Sequence, residues 1–437
     1  MGKSKGLRSA LLASCAVLGA AAASPAMAGG FAVREQSAEF QGMSFAGDAA
    51  AGGGLSGMFW NPAVAAYAPK GYSSESDAAG IFGHVTETAQ AGSTFYNAPG
   101  LSRESGNVAK PALVPSSYMA YRLTPDAVLA LSFNAPFGLT TEPSNNAWTG
   151  QTQARFSEIK TYDAVPTLAL RLSPQLSVGV GVQIDYIKAT LRSAGGLTVA
   201  QVSSPNAPDG SVEGQDTSVG FTAGANWTPS AQTSIGVGYR SAISHKLKGT
   251  FAIQGLTADS PIEAEAKLPS IATLSVRQGI NDKLRVMGTV EWTQWSSLQS
   301  LNVVCTGAGQ NCPFGAGSTP IPDPSLALNW HDSWMFALGG EYDYSRQLKL
   351  RTGIAYEISP IQNPGERTAK LPDQNRFTLS GGAGYALSDM IGLEMAYSHL
   401  WGLGGGIDRT QGPIRLVADV SSSVDIISGA VKFKLNP

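Results

Sequence analysis

The groups in this sequence that could do chemistry are few: four histidines, three cysteines and a scatter of acids. His331, Asp332 and Ser333 carry the residue types of a hydrolytic triad: a hydroxyl to attack, an imidazole to take its proton and a carboxylate to orient the ring. Consecutive residues of an extended chain send their side chains to opposite faces, so these three cannot aim at one another. No Gly-x-Ser-x-Gly elbow, paired metal ligands or phosphate-cradling loop accompanies them, nor does one accompany His84, His245 or His399. The sequence reads as a non-enzyme, with no cofactor and no metal expected. Cys305 and Cys312 close the short stretch Cys-Thr-Gly-Ala-Gly-Gln-Asn-Cys. In an exported chain that spacing reads as a loop disulfide, and no cluster of further ligands stands beside it to complete a zinc site.

Export is written at the start. Lys3, Lys5 and Arg8 precede an alanine-rich apolar stretch from Ala10 to Ala23, and Ala26-Met27-Ala28 is a small-x-small cleavage site. Residues 1–28 are therefore expected to be a signal peptide, with Gly29 the first mature residue. The alternative is a lipoprotein, because Leu12-Ala13-Ser14-Cys15 resembles a lipobox; the apolar run, however, continues past that cysteine. Losing three basic residues moves the formal net charge from −2 to −5. That mild acidity argues against a nucleic-acid partner. Charged residues make up only 14% of the chain, yet no later run approaches the ~20 apolar residues of a membrane helix.

Alternating strands reconcile low charge with the absence of long apolar runs. In Ser177–Tyr186, Val178, Val180, Val182, Ile184 and Tyr186 share one face, and Gly179, Gly181, Gln183 and Asp185 share the other. Fourteen such segments succeed one another: near 72–84, 112–123, 127–138, 158–172, 177–192, 216–228, 233–248, 267–279, 284–298, 329–344, 348–358, 374–387, 391–402 and 423–435. Very short connections such as Ser173-Pro174-Gln175 and Ser388-Asp389 alternate with long ones near 141–157, 193–216, 250–267, 300–328, 359–374 and 403–422. Aromatic residues collect near strand ends, among them Trp227, Tyr239, Tyr342, Tyr344 and Trp401. An even strand count, asymmetric loops and aromatic girdles are the layout of an outer-membrane barrel. Apolar faces then meet lipid. The inward set contains Asp163, Arg171, Asp185, Arg240, Glu291, Glu341, Asp343, Arg351, Glu357, Arg376, Glu394 and Lys432. Opposite charges at that density are expected to pair across the lumen rather than form an ion filter of one sign.

Residues from Gly29 to about Tyr67 do not alternate. The stretch 34–45 is helix-capable, and glycines interrupt the residues after it. Phe31, Phe40, Phe45, Met58, Phe59 and Trp60 are too apolar to leave in water, which suggests a compact plug inside the lumen. This segment resembles the hatch of the FadL/TodX-type outer-membrane transporters of long-chain fatty acids and hydrocarbons. The resemblance rests on Gly30-Phe31, Glu35-Gln36-Ser37, Gly42, Phe45-Ala46-Gly47-Asp48-Ala49-Ala50 and Asn61-Pro62-Ala63. It continues through Val114-Pro115-Ser116-Ser117-Tyr118, Pro136-Phe137-Gly138-Leu139-Thr140-Thr141, Leu268-Pro269, Trp295-Ser296, Arg351-Thr352-Gly353 and Leu371-Pro372-Asp373 with Arg376, in order over nearly the whole mature chain.

The resemblance implies an all-β fold: a fourteen-stranded antiparallel transmembrane β-barrel with a small, partly helical hatch in its lumen. The divisions expected are 1–28 signal peptide, 29–67 hatch and 68–437 barrel. It further implies passive uptake of hydrophobic small molecules, with ligand or gating residues Phe31, Phe40, Phe45, Phe59, Asn61, Pro62 and Ala63. Lateral exit is implied through a break in the third strand. Pro136 removes a ladder donor there and Gly138 weakens the strand, with Phe137 between them. A carboxylate cargo would need a cation, for which Lys188, Arg351 and Arg376 are candidates, although Lys188 shares its parity with outward-facing Val182 and Ile184. Expected partners are outer-membrane lipid and lipopolysaccharide, the hydrophobic substrate and the barrel-assembly machinery, for a monomer in the bacterial outer membrane. A porin, adhesin or receptor acting through the external loops is the alternative. One departure is the C-terminus, where Phe433 stands in for a terminal aromatic residue.

Overall fold

The computed structural model describes residues 29–306 and 325–435. The expected signal segment and Cys312 lie outside the described residues. Fourteen antiparallel strands form one closed barrel. They are β1 (Tyr72–Ala89), β2 (Ala112–Arg122), β3 (Ala127–Asn134, resuming at Gly138–Thr141), β4 (Phe156–Arg171), β5 (Leu176–Ala194), β6 (Asp209–Ser230) and β7 (Thr233–Arg240 and Ile243–Ile253). The second half comprises β8 (Ser260–Leu268 and Ile271–Gly279), β9 (Leu284–Thr293), β10 (Ser333–Asp343), β11 (Leu348–Ile358), β12 (Arg376–Ala386), β13 (Ile391–Gly402) and β14 (Ile414–Leu435).

The first strand closes on the last, with Tyr72 opposite Leu435 and Ala89 opposite Ala418. In hydrocarbon no water satisfies an unpaired edge, so closure is the condition for a sheet to span the bilayer. Side chains alternate as the sequence predicts. Val180, Val182 and Ile184 are exposed on the outer wall, and Gly181, Gln183 and Asp185 are buried within. Short turns gather at the end where Tyr72 meets Leu435, and long connections gather at the other.

The long connections are more ordered than the sequence suggests. Strands β6 and β14 each run 22 residues, well into the stretches expected as loops near 193–216 and 403–422. At ~3.3 Å per residue such strands outreach a ~30 Å hydrocarbon core. Outside the lipid they pair locally: Gly406–Gln411 folds back on the start of β14, and Glu104–Asn107 pairs with the end of β1.

Glycines on the inner face let the hatch backbone lie against the wall. A Cβ at Gly238 would sit 1.8 Å from the Trp60 carbonyl oxygen, and one at Gly353 would sit 2.1 Å from that of Met43. Both obstacles are backbone and cannot swing aside. Gly238→Val is expected to leave the barrel folded, with its usual resistance to unfolding on unheated gels, while undocking the hatch. Limited proteolysis should then cut within 29–67 at least tenfold faster than in the parent; equal rates would contradict the close-approach role of this glycine.

Candidate functional site

The N-terminal segment folds inside the barrel as two apolar clusters stacked along its axis. Towards the short turns, Phe40, Phe45 and Phe59 surround Trp60, with ring centroids 5.7, 6.0 and 5.0 Å away. The helix here, α1 (Ala38–Gln41), is shorter than the helix-capable stretch 34–45. It is capped by Ser37, whose side chain accepts from the Phe40 amide. It stops because Ser44 (φ 51°) and Phe45 (φ 67°) turn left-handed, which swings Phe45 back towards Trp60. Asn61 caps the helical turn Pro62–Tyr67 by accepting from the Ala63 amide. Its amide nitrogen donates to Ala49 O at 2.7 Å and to Ala225 O of β6 at 3.0 Å. Pro62 and Ala63 thus mark where the hatch meets the wall, and Ala63 O accepts from Ser177 Oγ of β5.

Charge fixes the hatch in place. Arg34 donates to Glu291 at 2.8 Å and to Glu357 at 2.7 Å, all three buried. Glu39 pairs with Lys432 and, at 3.4 Å, with Arg351. Arg351 also holds Glu341 at 2.8 Å and Glu394. Burial pushes the Glu39 carboxyl up, but the Lys432 ammonium and the Arg351 guanidinium overcome this and hold it at about 2. Among the described residues no cation pairs with Asp48. Burial, with Glu291 nearby, pushes its carboxyl up to about 8 against hydrogen bonds from Ser275, the Ala49 amide and Thr289.

Strand β3 breaks between Asn134 and Gly138. Asn134 stands opposite Asp163 and Gly138 opposite Lys160, so three residues of β3 face two of β4, forming a bulge. Its ladder to β2 ends at the pair Ser117–Phe133, and contact with the preceding chain returns only at Ala109–Thr141. The hatch fills the interval. Val33 N donates to Pro136 O and Gly138 N to Phe31 O, each at 2.8 Å. Gln36 Nε2 donates to Ala135 O at 2.8 Å, and Gln36 O accepts from Ser116 Oγ and Tyr118 Oη. Val33 packs with Ala112, Val114 and Ala135 across the same interval.

Above the break the surroundings are apolar. Phe31 lies 6.0 Å from Phe137, 4.7 Å from Trp295 and 5.9 Å from Trp330, ring to ring. This aromatic box continues outward into one cluster with Leu139, Trp148, Leu268, Ile361, Leu371, Ile407 and Leu416. Below the hatch the character reverses. A cavity of about 370 Å³ opens towards the short turns, lined by Glu39, Glu75, Arg351, Glu394 and Lys432 among others.

The residues singled out in the sequence divide by place. Phe31, Pro136, Phe137 and Gly138 meet at the break, whereas Phe40, Phe45, Phe59, Asn61, Pro62 and Ala63 form the lower half of the hatch. Lys188 does not reach the lumen. It is exposed on the outer wall between inward Ile187 and Ala189, with no bulge to turn it, so it is corrected from ligand contact to exterior residue. Arg351 is taken up by three acids, and Arg376 by Glu357 and Asp373, so both hold protein carboxylates rather than await a ligand's. Cys305 is disulfide-bonded. Gln36, Arg34, Trp295 and Trp330 were not among the predicted site residues. Arg34 is the single basic residue of the hatch, which was an available signal for it; Gln36 is one of three amides there and carried none.

A family model described as outer membrane protein transport protein (OMPP1/FadL/TodX) matches residues 19–435. The long-chain fatty acid transport protein of Salmonella typhi is 24% identical over 327 residues, 68% of this chain and 72% of that one. Two solved structures share the fold. A Pseudomonas aeruginosa FadL homologue has a TM-score of 0.81 at 22% identity, covering 92% of this chain and 99% of its own. The P. putida toluene transporter TodX has a TM-score of 0.68 at 16% identity, covering 92% and 98%.

Two outcomes test the docking. Arg34→Met strands two buried carboxylates, a loss of about 3–5 kcal/mol, and should raise the frequency of open-channel steps in planar bilayers sharply; unchanged conductance would mean Arg34 does not hold the hatch. Docked Asp48 keeps its proton up to about 8, whereas a released one ionises near 3.8. The docked state therefore binds the extra proton across that window, and docking weakens as pH rises through it. Open-channel steps should increase from pH 5 to 8, and Asp48→Asn should flatten the slope; an unaltered slope would rule Asp48 out as its source.

Proposed function

The chain belongs to the OMPP1/FadL/TodX family of outer-membrane transport proteins, and on that premise we propose that it admits hydrophobic small molecules passively and releases them sideways through the break in β3. The observation that carries this reading is the interval in the wall from Asn134 to Gly138, where the hatch supplies the hydrogen bonds that β2 does not. A molecule entering from outside meets the apolar cluster that ends at Phe31 and Phe137. Straight ahead lie the buried ion pairs of Glu39, Arg351, Glu394 and Lys432. Crossing them would force desolvation of paired charges by an apolar body, which costs several kcal/mol per group. Sideways lie Val33, two backbone hydrogen bonds, the hydrogen bonds of neutral Gln36 and the apolar side chains of Ala112, Val114 and Ala135, with no buried ion pair among them. Shifting the segment around Phe31 and Val33 would unplug the axis and uncover the wall in one movement. The cargo classes named for relatives, long-chain fatty acids and toluene, both suit an aromatic-lined approach with few polar groups.

Restoring strand character should close the exit. Pro136→Val with Gly138→Val is expected to slow uptake of radiolabelled oleate or toluene into cells by tenfold or more while leaving barrel assembly intact; normal uptake would remove the lateral route. Deleting residues 29–63 should raise bilayer conductance and abolish selective uptake, and conductance equal to the parent's would refute the plug.

A further inference from the structure

The backbone ladder of the wall lapses a second time, between β6 and β7. The two strands stay in register up to the pair Thr222–Arg240 and are paired again from Gln215–Lys248. Between these pairs residues 216–221 of β6 and 241–247 of β7 form no ladder. Arg240 and Ile243 both face inward, so Ser241 and Ala242 form a bulge. Ser241 N still donates to Phe221 O at 2.8 Å. Beyond it, side chains stand in for backbone. Ser241 Oγ accepts from Phe221 N at 2.9 Å, and Gln183 Nε2 of β5 donates to Phe221 O at 3.1 Å. Ser218 Oγ donates to Ser244 O at 2.8 Å, and Lys246 N donates to the Asp216 carboxylate at 3.2 Å. The hatch fills the lapse in β3. Here, among the described residues, no hatch hydrogen bond reaches the interval; Phe59 O accepts from Arg240 just below it.

His245 ties the interval together. Its side chain is wholly buried, as is that of Asp185. Nδ1 lies 3.1 Å from Asp216 of β6, and Nε2 lies 3.1 Å from Asp185 of β5. A neutral imidazole has one N–H for these two carboxylates. A further proton must therefore sit between Nε2 and Asp185, on either atom, or lone pairs face each other there. Asp163 of β4 stands opposite Asp185 and is paired with Arg240. On β8 the residue opposite His245 is Ala266, which brings no charge, and the Lys246 ammonium turns outward to Glu263. The clasp is complete while the shared proton stays, and it loosens as rising pH removes that proton.

We propose that this interval is a second lateral opening, latched by His245, through which an uncharged hydrophobic molecule dissolved in the outer leaflet enters the lumen on the external side of the hatch. Both of its mouths are apolar. Outside, Val219 is 70% exposed and Phe221 53%. Inside, Ile243 and Leu247 belong to the same cluster as Phe31, Phe137 and Trp295. A backbone ladder in hydrocarbon cannot part without leaving amides and carbonyls bare, whereas serine and glutamine side chains can turn and exchange partners. The assignment rests on the reading that hydrophobic molecules cross that cluster. It adds an entrance that bypasses the external loops and needs no movement of the hatch.

The test uses the purified full-length protein in phospholipid bilayers that carry an apolar photoreactive diazirine. Lumen-facing Ile243 and Leu247 report entry, and lipid-facing Val219 and Phe221 are the internal reference. In the parent, labelling of Ile243 and Leu247 relative to that reference should rise several-fold from pH 6 to pH 9. His245→Gln, which cannot donate to both carboxylates at any pH, should label at the higher level throughout. Asp185→Asn, whose amide donates to Nε2 without a shared proton, should stay at the lower level throughout, and it carries the comparison where His245→Gln does not give a folded barrel. Labelling in the parent that does not change with pH, or a parental slope that survives both substitutions, overturns the assignment. Lumen labelling that disappears when Pro136→Val with Gly138→Val closes β3 also overturns it, because the probe then entered through β3. Lumen labelling that persists in that variant while cells expressing it take up cargo normally supports the second opening and counts against the exit through β3.

Discussion

Inside a bilayer every backbone amide and carbonyl must find a partner within the protein. The barrel meets this demand by joining β1 along its whole length to β14, and the alternation of its strands is a consequence, since one face must suit lipid and the other a lumen. The demand is left unmet by the wall in one described stretch of β3, between Asn134 and Gly138. There the hatch acts as a fragment of missing strand: Phe31 and Val33 trade hydrogen bonds with Gly138 and Pro136. Proline and glycine, poor strand formers, sit where the wall's own pairing stops. Plug and wall are joined at that point by these two bonds and by Gln36, which donates to Ala135 O.

Charge plays a different part. A buried ion pair is seldom worth more than the apolar packing that could replace it, but separating its members is expensive. Arg34 and Glu39 therefore contribute less to overall stability than to position. They fix where in a roughly uniform lumen the hatch must sit, through Glu291 and Glu357 on one side and Arg351 and Lys432 on the other. The same rule explains why the lumen below the hatch suits water and ions while the external side suits hydrocarbon.

Much of this was legible in the sequence because two solvents write on one strand. Val178 to Tyr186 shows lipid on one face and lumen on the other, and strands such as Ile391–Gly402 lie where the alternation puts them. Beyond the lipid the second solvent disappears, so the outer halves of β6 and β14 read as loops although they are paired. The helix expected over 34–45 shrank to Ala38–Gln41 because wall contacts, rather than helical bonds, satisfy the residues around it. The apolar hatch and the Pro-Phe-Gly break were visible as composition. The pairing of Arg351 and Arg376 with particular acids was not, because apart from Asp373, three positions before Arg376, those acids lie on separate strands or hundreds of positions away. Lys188 was set outside by parity alone, and no bulge intervened. Gln36, which ties the hatch to both β2 and β3, looks in sequence like any polar residue of a turn.

The hatch draws its partners from both ends of the chain: Glu75 and Asp77 on β1, Ile426 and Lys432 on β14. It leaves the export machinery first, yet its binding site exists only once the last strand has joined the first. Docking is therefore the final event of biogenesis, and the contacts that secure it are among the longest in sequence that the protein makes, a slow and exposed way to fold. Until closure, Phe31, Phe40, Phe45, Phe59 and Trp60 have no lumen to enter. The order of assembly is thus set by where fewer than forty residues find their neighbours, and a barrel that stalls before its seam closes carries an apolar leader in search of any surface that will take it.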